Sequence, residues 1–227
     1  MSYRKPVTVV EQNAQTLEIL PQKVYRYLGL GLTKPDTQLE ALVSCSIDEF
    51  RRVARFRACF RIVPCQAGEE GTDLDILFAP GKKLAKNLTG CDQAIIFAAT
   101  AGLETDRQRK RKEVTSPSSA LVLDAVGTAA IESFCDLLCS TWRNKFTGRF
   151  IRPRFSPGYG DFPLEIQGPL LESLDAKQLI GVTLTNAYLM LPQKSVTAIV
   201  GIGKTGCVHP DQDCQVCNKT NCEFRLA

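Results

Sequence analysis

The residues best suited to ligand binding lie in residues 152–163, where two arginines, a serine and a tyrosine stand among turn-forming residues. Three prolines and two glycines occupy these twelve positions. Proline fixes φ and removes a donor, and glycine lets the chain approach another group closely. The segment therefore predicts an ordered loop, either a tight turn between two elements or a ligand-binding loop. Its polar side chains favour the ligand-binding loop.

Two side chains of this loop have defined binding chemistry. Arg154 can pair with a carboxylate, and Tyr159 can stack on a ring or form a hydrogen bond. The main chain of residues 155–157 is restricted to an extended path by Pro157. This combination suits a zwitterionic small molecule that carries an aromatic base.

A second candidate site is a cysteine-rich tail. Four of the ten cysteines fall in the last 21 residues: Cys207, Cys214, Cys217 and Cys222. The C-x2-C core can bring two thiolates to one metal ion, and the flanking cysteines can complete a tetrahedral set. Zinc and an iron–sulfur cluster both fit this spacing, and a tail without metal stays open because a second C-x2-C pair is missing. We interpret the other six cysteines as buried thiols of a reducing compartment.

Two familiar catalytic arrangements are excluded. The single histidine, His209, lies in the tail, so no Ser–His or Cys–His pair is available elsewhere. Residues 203–205 read Gly-Lys-Thr after a predicted strand, but a phosphate-binding loop requires glycine where Ala198 stands and a helix afterwards. We therefore reject nucleoside triphosphate hydrolysis.

Composition limits the classes of partner. The chain has 227 residues, 44% of them hydrophobic, and a net charge of only +4. Neither nucleic acid nor a membrane is an expected partner, because the charge is small and no apolar run approaches a membrane span. The basic run at residues 107–112 is interspersed with acids and is typical of a solvated face. The N-terminus lacks a signal-peptide core, so we predict a cytoplasmic protein.

The elements that position these residues follow from hydrophobic periodicity. We predict helices over residues 24–29, 36–54, 81–88, 116–144 and 170–174, and strands over residues 7–10, 58–64, 72–78, 93–100 and 195–202. A hairpin turn is expected at residues 192–194. Without regular alternation of strand and helix, the pattern favours an α+β fold with a twisted antiparallel sheet flanked by helices. We expect one domain over residues 1–206, followed by the tail at 207–227.

The helix predicted over residues 116–144 carries acids on an otherwise mostly apolar surface. Glu132 and Asp136 lie four residues apart and so share one face. Because burying an unpaired charge is costly, each needs a partner or a ligand.

Two blocks of sequence resemble a known family. Arg154-Phe155-Ser156-Pro157-Gly158-Tyr159 resembles the Arg-x-x-x-Gly-Tyr signature of the activation domain of cobalamin-dependent methionine synthase. Residues 184–196 resemble that domain's Leu-Thr…Met-x-Pro…Ser-Val segment, at a similar separation. The likeness covers residues 120–202 and is loose before them. The helix that carries Glu132 lies where the family has its acidic helix.

The resemblance implies a ligand and a role. Domains of this family bind S-adenosylmethionine in a shallow groove and support reductive remethylation of cobalamin that has been oxidised to the cob(II) state. By resemblance, Arg154 would meet the methionine carboxylate, Tyr159 would border the site, and Glu132 would add a polar contact. The main chain near Phe155 would hold the ligand, with Ser156, Pro157 and Gly158 completing the loop.

The sequence also departs from the family. It has no counterpart of the N-terminal aspartate contact, and it lacks the homocysteine, folate and cobalamin modules. We therefore expect an accessory activation subunit for methionine synthesis that docks on a separate corrinoid protein and depends on an electron donor. An alternative is a cysteine-rich metal or iron–sulfur electron-transfer protein that reduces a corrinoid protein. A third hypothesis is an interaction module without a ligand.

Overall fold

A five-stranded antiparallel sheet forms the centre of the computed structural model, which describes residues 6–31 and 33–204. The strands are β1 (Thr8–Gln12), β2 (Phe56–Pro64), β3 (Gln66–Ala67), β4 (Gly71–Asp73), β5 (Phe78–Pro80), β6 (Cys91–Thr100), β7 (Arg149–Ile151), β8 (Thr183–Leu184), β9 (Met190–Leu191) and β10 (Ser195–Lys204). The helices are α1 (Pro21–Tyr27), α2 (Thr37–Val53), α3 (Lys82–Asn87), α4 (Leu103–Thr115), α5 (Pro117–Lys145), α6 (Gln167–Ser173) and α7 (Ala176–Ile180). The order across the sheet is β1-β2-β6-β10-β7.

The sheet separates two hydrophobic cores. The first core lies between the sheet and helices α1, α2 and α5, and the second lies on the opposite face with α3, α6 and α7. β6 and β10 are buried on both faces, which explains why they are continuous apolar runs rather than alternating ones. The predicted α+β fold with an antiparallel sheet flanked by helices is confirmed.

Helix α5 is the longest element of the first core, and it agrees with the prediction over residues 116–144. It begins with Pro117, which suits the first helical turn because its missing N–H has no intrahelical partner there. Trp142, near its end, packs edge-on against Phe60 and Phe97, with ring centroids 5.4 and 5.2 Å apart. These contacts attach α5 to β2 and β6.

Two predictions of local structure are wrong. Residues 72–78 do not form one strand, because Asp75 has φ of 65° and turns the chain between β4 and β5. The Asp75 N–H donates to the Asp73 carboxylate at 2.9 Å, a local turn that aspartate favours. Residues 192–194 do not join a hairpin either, since β9 pairs with β8. β10 instead pairs with β6 on one edge, and with β7 at Ile202–Lys204 on the other.

The basic run of residues 107–112 lies in α4, and three of its five cations are paired with acids. Arg107 pairs with Glu104, and Lys112 with Glu49 at 2.8 Å. Arg109 pairs with Glu113 and contacts Asp124. This arrangement fits the expected solvated face. Among the residues described, no helix combines the length and the apolar character needed to cross a bilayer.

Candidate functional site

The loop at residues 152–163 continues from β7 along the outer edge of β10. Ile151 lies opposite Ile202, and Phe155 exchanges two main-chain hydrogen bonds of 2.9 Å with Ile199. Ile151 and Phe155 are four residues apart in sequence, whereas their partners Ile202 and Ile199 are three apart. The loop therefore has one extra residue at Pro153–Arg154, which is a β-bulge. Because of the bulge, Arg152 and Phe155 both face the second core, while Arg154 faces α5.

Helix α3 holds the loop at both ends. At the start, the Asn87 amide donates to the Pro153 carbonyl at 3.0 Å, and the Arg152 guanidinium donates to the Thr89 carbonyl at 2.7 Å. At the far end, the Asp161 carboxylate accepts the N–H groups of Lys82 and Lys83 at 2.9 and 3.1 Å. The loop is therefore ordered by side chains from a distant part of the sequence.

Replacing Asp161 by alanine should destabilise the protein by about 1 kcal/mol, the usual cost of losing an acceptor at a helix N-terminus. Two N–H groups at the start of α3 lose their partner, and the loop loses its far attachment. Urea unfolding measures the change. Glu165→Ala is the matched control, since it removes the same charge from an exposed position nearby. Equal midpoints for the two variants would contradict the anchoring role.

Arg154 is the centre of a four-residue charged cluster. Its guanidinium donates to Asp136 at 2.7 Å and to Glu132, both on α5. Lys23 of α1 donates to the same Asp136 carboxylate at 2.8 Å. The Arg154 side chain is 23% exposed, so the cluster lies at the surface with its cation half-buried. The acids that the sequence left in need of a partner are thus paired with the arginine of the loop.

The surroundings of Asp136 and Arg154 favour the charged forms of both groups. Burial alone would raise the pKa of Asp136, but the hydrogen bond from Lys23 and the charge of Arg154 outweigh it, so that pKa lies below its ordinary 3.8. Burial opposes the charge of Arg154, but the carboxylates of Glu132 and Asp136 raise the pKa of its guanidinium. Asp136 and Arg154 therefore both carry their charges at neutral pH.

The aromatic side of the loop lies across the edge from Arg154. Phe155 is buried in the second core, and the ring of Tyr159 packs edge-on against it at 5.3 Å between centroids. Tyr159 is 62% exposed, which leaves one face of its ring open to solvent. Gly158 has φ of +84° and donates its N–H to the Phe162 carbonyl at 2.8 Å, which closes the turn that presents Tyr159. Pro157 is buried and Ser156 half-buried.

Two main-chain groups that flank Phe155 face away from the sheet. The N–H and C=O of Phe155 both point at Ile199. Because each peptide unit is planar and trans, the neighbouring carbonyl of Arg154 and N–H of Ser156 must point away from β10. The edge thus presents one acceptor and one donor, two residues apart, to a ligand.

The candidate site is open to solvent, since the side chains of Arg154 and Glu132 are 23% and 32% exposed and Tyr159 is 62% exposed. Four cavities of about 220 to 950 Å³ are found among the described residues. None of the four is lined by Arg154, Glu132 or Tyr159. A ligand held here would remain accessible to a second protein.

Comparison with known proteins gives a single kind of match. Neither a protein-family model nor a curated protein matches the sequence. Among solved structures, a crystal structure of the MetH reactivation domain bound to AdoHcy aligns with 93% of this chain and 81% of its own, at a TM-score of 0.66. The chain has the fold of the MetH reactivation domain. The sequence identity is 16%, so the likeness concerns the fold.

On this reactivation-domain fold, sequence reasoning missed Asp136 and Lys23 as members of the site. Asp136 had a signal, since it shares a helical face with Glu132. Lys23 had none, because it lies 113 residues from its partner Asp136 and its own helix shows no motif.

The cysteine predictions divide between described and undescribed residues. Cys207, Cys214, Cys217 and Cys222 lie outside the described residues, so a metal site there stays a prediction. Within residues 6–31 and 33–204, no group of three or more potential ligands is arranged to hold a metal ion. The expectation of buried thiols is correct for five of the six remaining cysteines and wrong for Cys45, which is exposed on α2. Burial raises the pKa of Cys59 and of Cys65 to about 12, so both thiols stay protonated.

Proposed function

We propose that this protein binds S-adenosylmethionine at the β10 edge and presents it to a corrinoid carried by a separate methyltransferase, as a reactivation subunit. The observation that carries the proposal is that a half-buried arginine, Arg154, its two acidic partners and an outward-facing main-chain acceptor and donor lie together at the β10 edge. The reactivation-domain fold supports it, because the matched domain was solved with AdoHcy.

The charged cluster suits the amino-acid end of the ligand. Arginine has five N–H donors, and the two described pairs occupy one terminal nitrogen each, so donors remain for a ligand carboxylate. The ligand's ammonium group would be accepted by Glu132 or Asp136. A zwitterion therefore finds both of its partners within this cluster without adding net charge to it.

The main-chain pair suits the adenine end. Adenine presents an N6 donor beside a ring acceptor, which matches the carbonyl of Arg154 and the N–H of Ser156. The exposed ring of Tyr159 offers a surface on which a base can stack. With Arg154 on one side of the edge and Tyr159 on the other, the ligand would lie across the segment that joins them.

The chain's own contribution is binding and orientation. The sulfonium of S-adenosylmethionine supplies an already activated methyl group, so no general base is needed from this protein. The side chains of Arg154 and Glu132 would fix one end of the ligand, and the Arg154 carbonyl and the Ser156 N–H would fix the other. Because the site is open, a corrinoid protein can approach it, and the electrons for reactivation would come from a separate donor.

Calorimetric titration of the full chain with S-adenosylmethionine and with S-adenosylhomocysteine tests this function. We expect one site per chain for each ligand, with methionine or adenosine alone at least about a hundredfold weaker, because each fragment satisfies one end only. If the chain bound neither S-adenosylmethionine nor S-adenosylhomocysteine, with or without a corrinoid methyltransferase present, the proposal would be refuted. Equal affinity for adenosine and the full ligand would refute the role of the charged cluster.

A further inference from the structure

A second concave site lies near the β1–β2 edge of the sheet, opposite the edge formed by β10 and β7. A cavity of about 950 Å³ opens between the end of α2, the end of β1 and the start of β2. Four arginines line it: Arg51, Arg52, Arg55 and Arg57. The loop at residues 152–163 runs along the far edge of β10 and contributes no residue to this cavity, so the two sites share no side chain.

The cavity concentrates the positive charge of the molecule. Its four arginines are accompanied by one lining acid, Glu11, and Arg51 also lies 3.9 Å from the carboxylate of Asp48. Arg57 is paired with Glu11, so the excess of positive charge at the cavity comes mainly from Arg52 and Arg55. A concave cluster with more cations than acids creates a local field that attracts anions.

Two of the four guanidinium groups are held in place by the fold. Arg51 donates to the Leu17 carbonyl at 3.1 Å, and Arg57 pairs with Glu11 across the β1–β2 ladder at 3.0 Å. Arg52 and Arg55 are exposed at the rim. Two fixed and two adjustable cations around one concavity can surround a small anion from several directions.

We propose that this cavity binds a small molecule bearing two or more phosphate groups. Arginine matches phosphate oxygens with two parallel N–H bonds, and several arginines together favour a multiply charged ligand over a single carboxylate. The amides of Gln12, Asn13 and Gln15 also line the cavity and add neutral hydrogen-bonding groups. The volume lies within the range of small-molecule sites, and the concave shape favours such a ligand over a flat protein surface.

Titration with inorganic pyrophosphate, followed by calorimetry and by the thermal unfolding midpoint, tests the proposal. Adenosine diphosphate forms a second arm, which shows whether a nucleoside adds to the phosphate chemistry. Sodium sulfate at matched ionic strength controls for general anion effects. The double variant Arg52→Gln/Arg55→Gln should bind pyrophosphate at least about tenfold more weakly than the unaltered protein, since two charge-assisted contacts are lost.

The control variant is Lys110→Gln/Arg111→Gln, which removes the same two charges from exposed positions on α4. It should retain pyrophosphate affinity within about twofold, because long-range charge is screened at moderate salt. Arg55→Lys separates geometry from charge, and we expect it to weaken binding less than Arg55→Gln. Absence of pyrophosphate binding, equal binding of sulfate, or equal losses in the two double variants would each overturn the proposal.

Discussion

Replacing Arg154 by glutamine is expected to weaken S-adenosylhomocysteine binding by about a hundredfold, because the ligand carboxylate loses its charged partner. The same change leaves Glu132 and Asp136 with Lys23 as the described cation of the cluster. Since both acids are partly exposed, solvent screens their repulsion, and we expect a loss of only about 1 to 2 kcal/mol in unfolding free energy. Calorimetry and urea unfolding measure the two effects separately.

Arg149→Gln is the matched control for Arg154→Gln. Arg149 lies on β7, on the same sheet edge, and its half-buried guanidinium pairs with Asp92 and donates to the Gly203 carbonyl at 3.0 Å. Its loss should cost comparable stability and leave ligand affinity unchanged. If both variants lost the same affinity, or if Arg154→Gln kept full affinity, Arg154 would not be a ligand contact.

Replacing Trp142 by alanine should cause the largest loss of stability, about 3 to 5 kcal/mol. Trp142 is 2% exposed, and its ring fills the space between Phe60 and Phe97 in the first core. Loss of the indole leaves a cavity in the core and removes the contacts that attach α5 to two central strands. The shift of the urea midpoint at constant slope measures the loss.

Two further variants of α5 calibrate this result. Trp142→Phe keeps an aromatic ring and should lose less, on the order of 1 to 2 kcal/mol. Leu121→Ala changes a side chain of the same helix that is 66% exposed, and it should shift stability by no more than about 0.5 kcal/mol. A Trp142→Ala protein as stable as Leu121→Ala would contradict the assignment of this ring to the core.

The central elements of the fold were predictable from sequence because their patterns reflect burial. α5, β6 and β10 are long and strongly apolar, and hydrophobic periodicity identifies such segments well. Shorter elements were not, since a few residues of alternating pattern cannot distinguish a strand from a turn. Asp75 shows this limit, because its left-handed conformation interrupts a pattern that predicts a continuous strand.

The site was predictable in its local parts only. Turn formers around Arg154 and the four-residue spacing of Glu132 and Asp136 are visible in sequence. That Arg154 pairs with both acids is a tertiary fact, because the loop and the helix are separate segments with no local signal that joins them. The outward main-chain pair was equally hidden, since it depends on the pairing of Phe155 with Ile199.

The bulge at Pro153–Arg154 also bears on self-association. An open sheet edge with a regular row of main-chain groups can pair with a strand from another molecule and so promote aggregation. Here Pro153 and Pro157 lack N–H donors, and the extra residue breaks the even spacing that an incoming strand requires. The edge therefore keeps an isolated acceptor and donor, enough for the rim of a planar heterocycle and too few for a polypeptide strand.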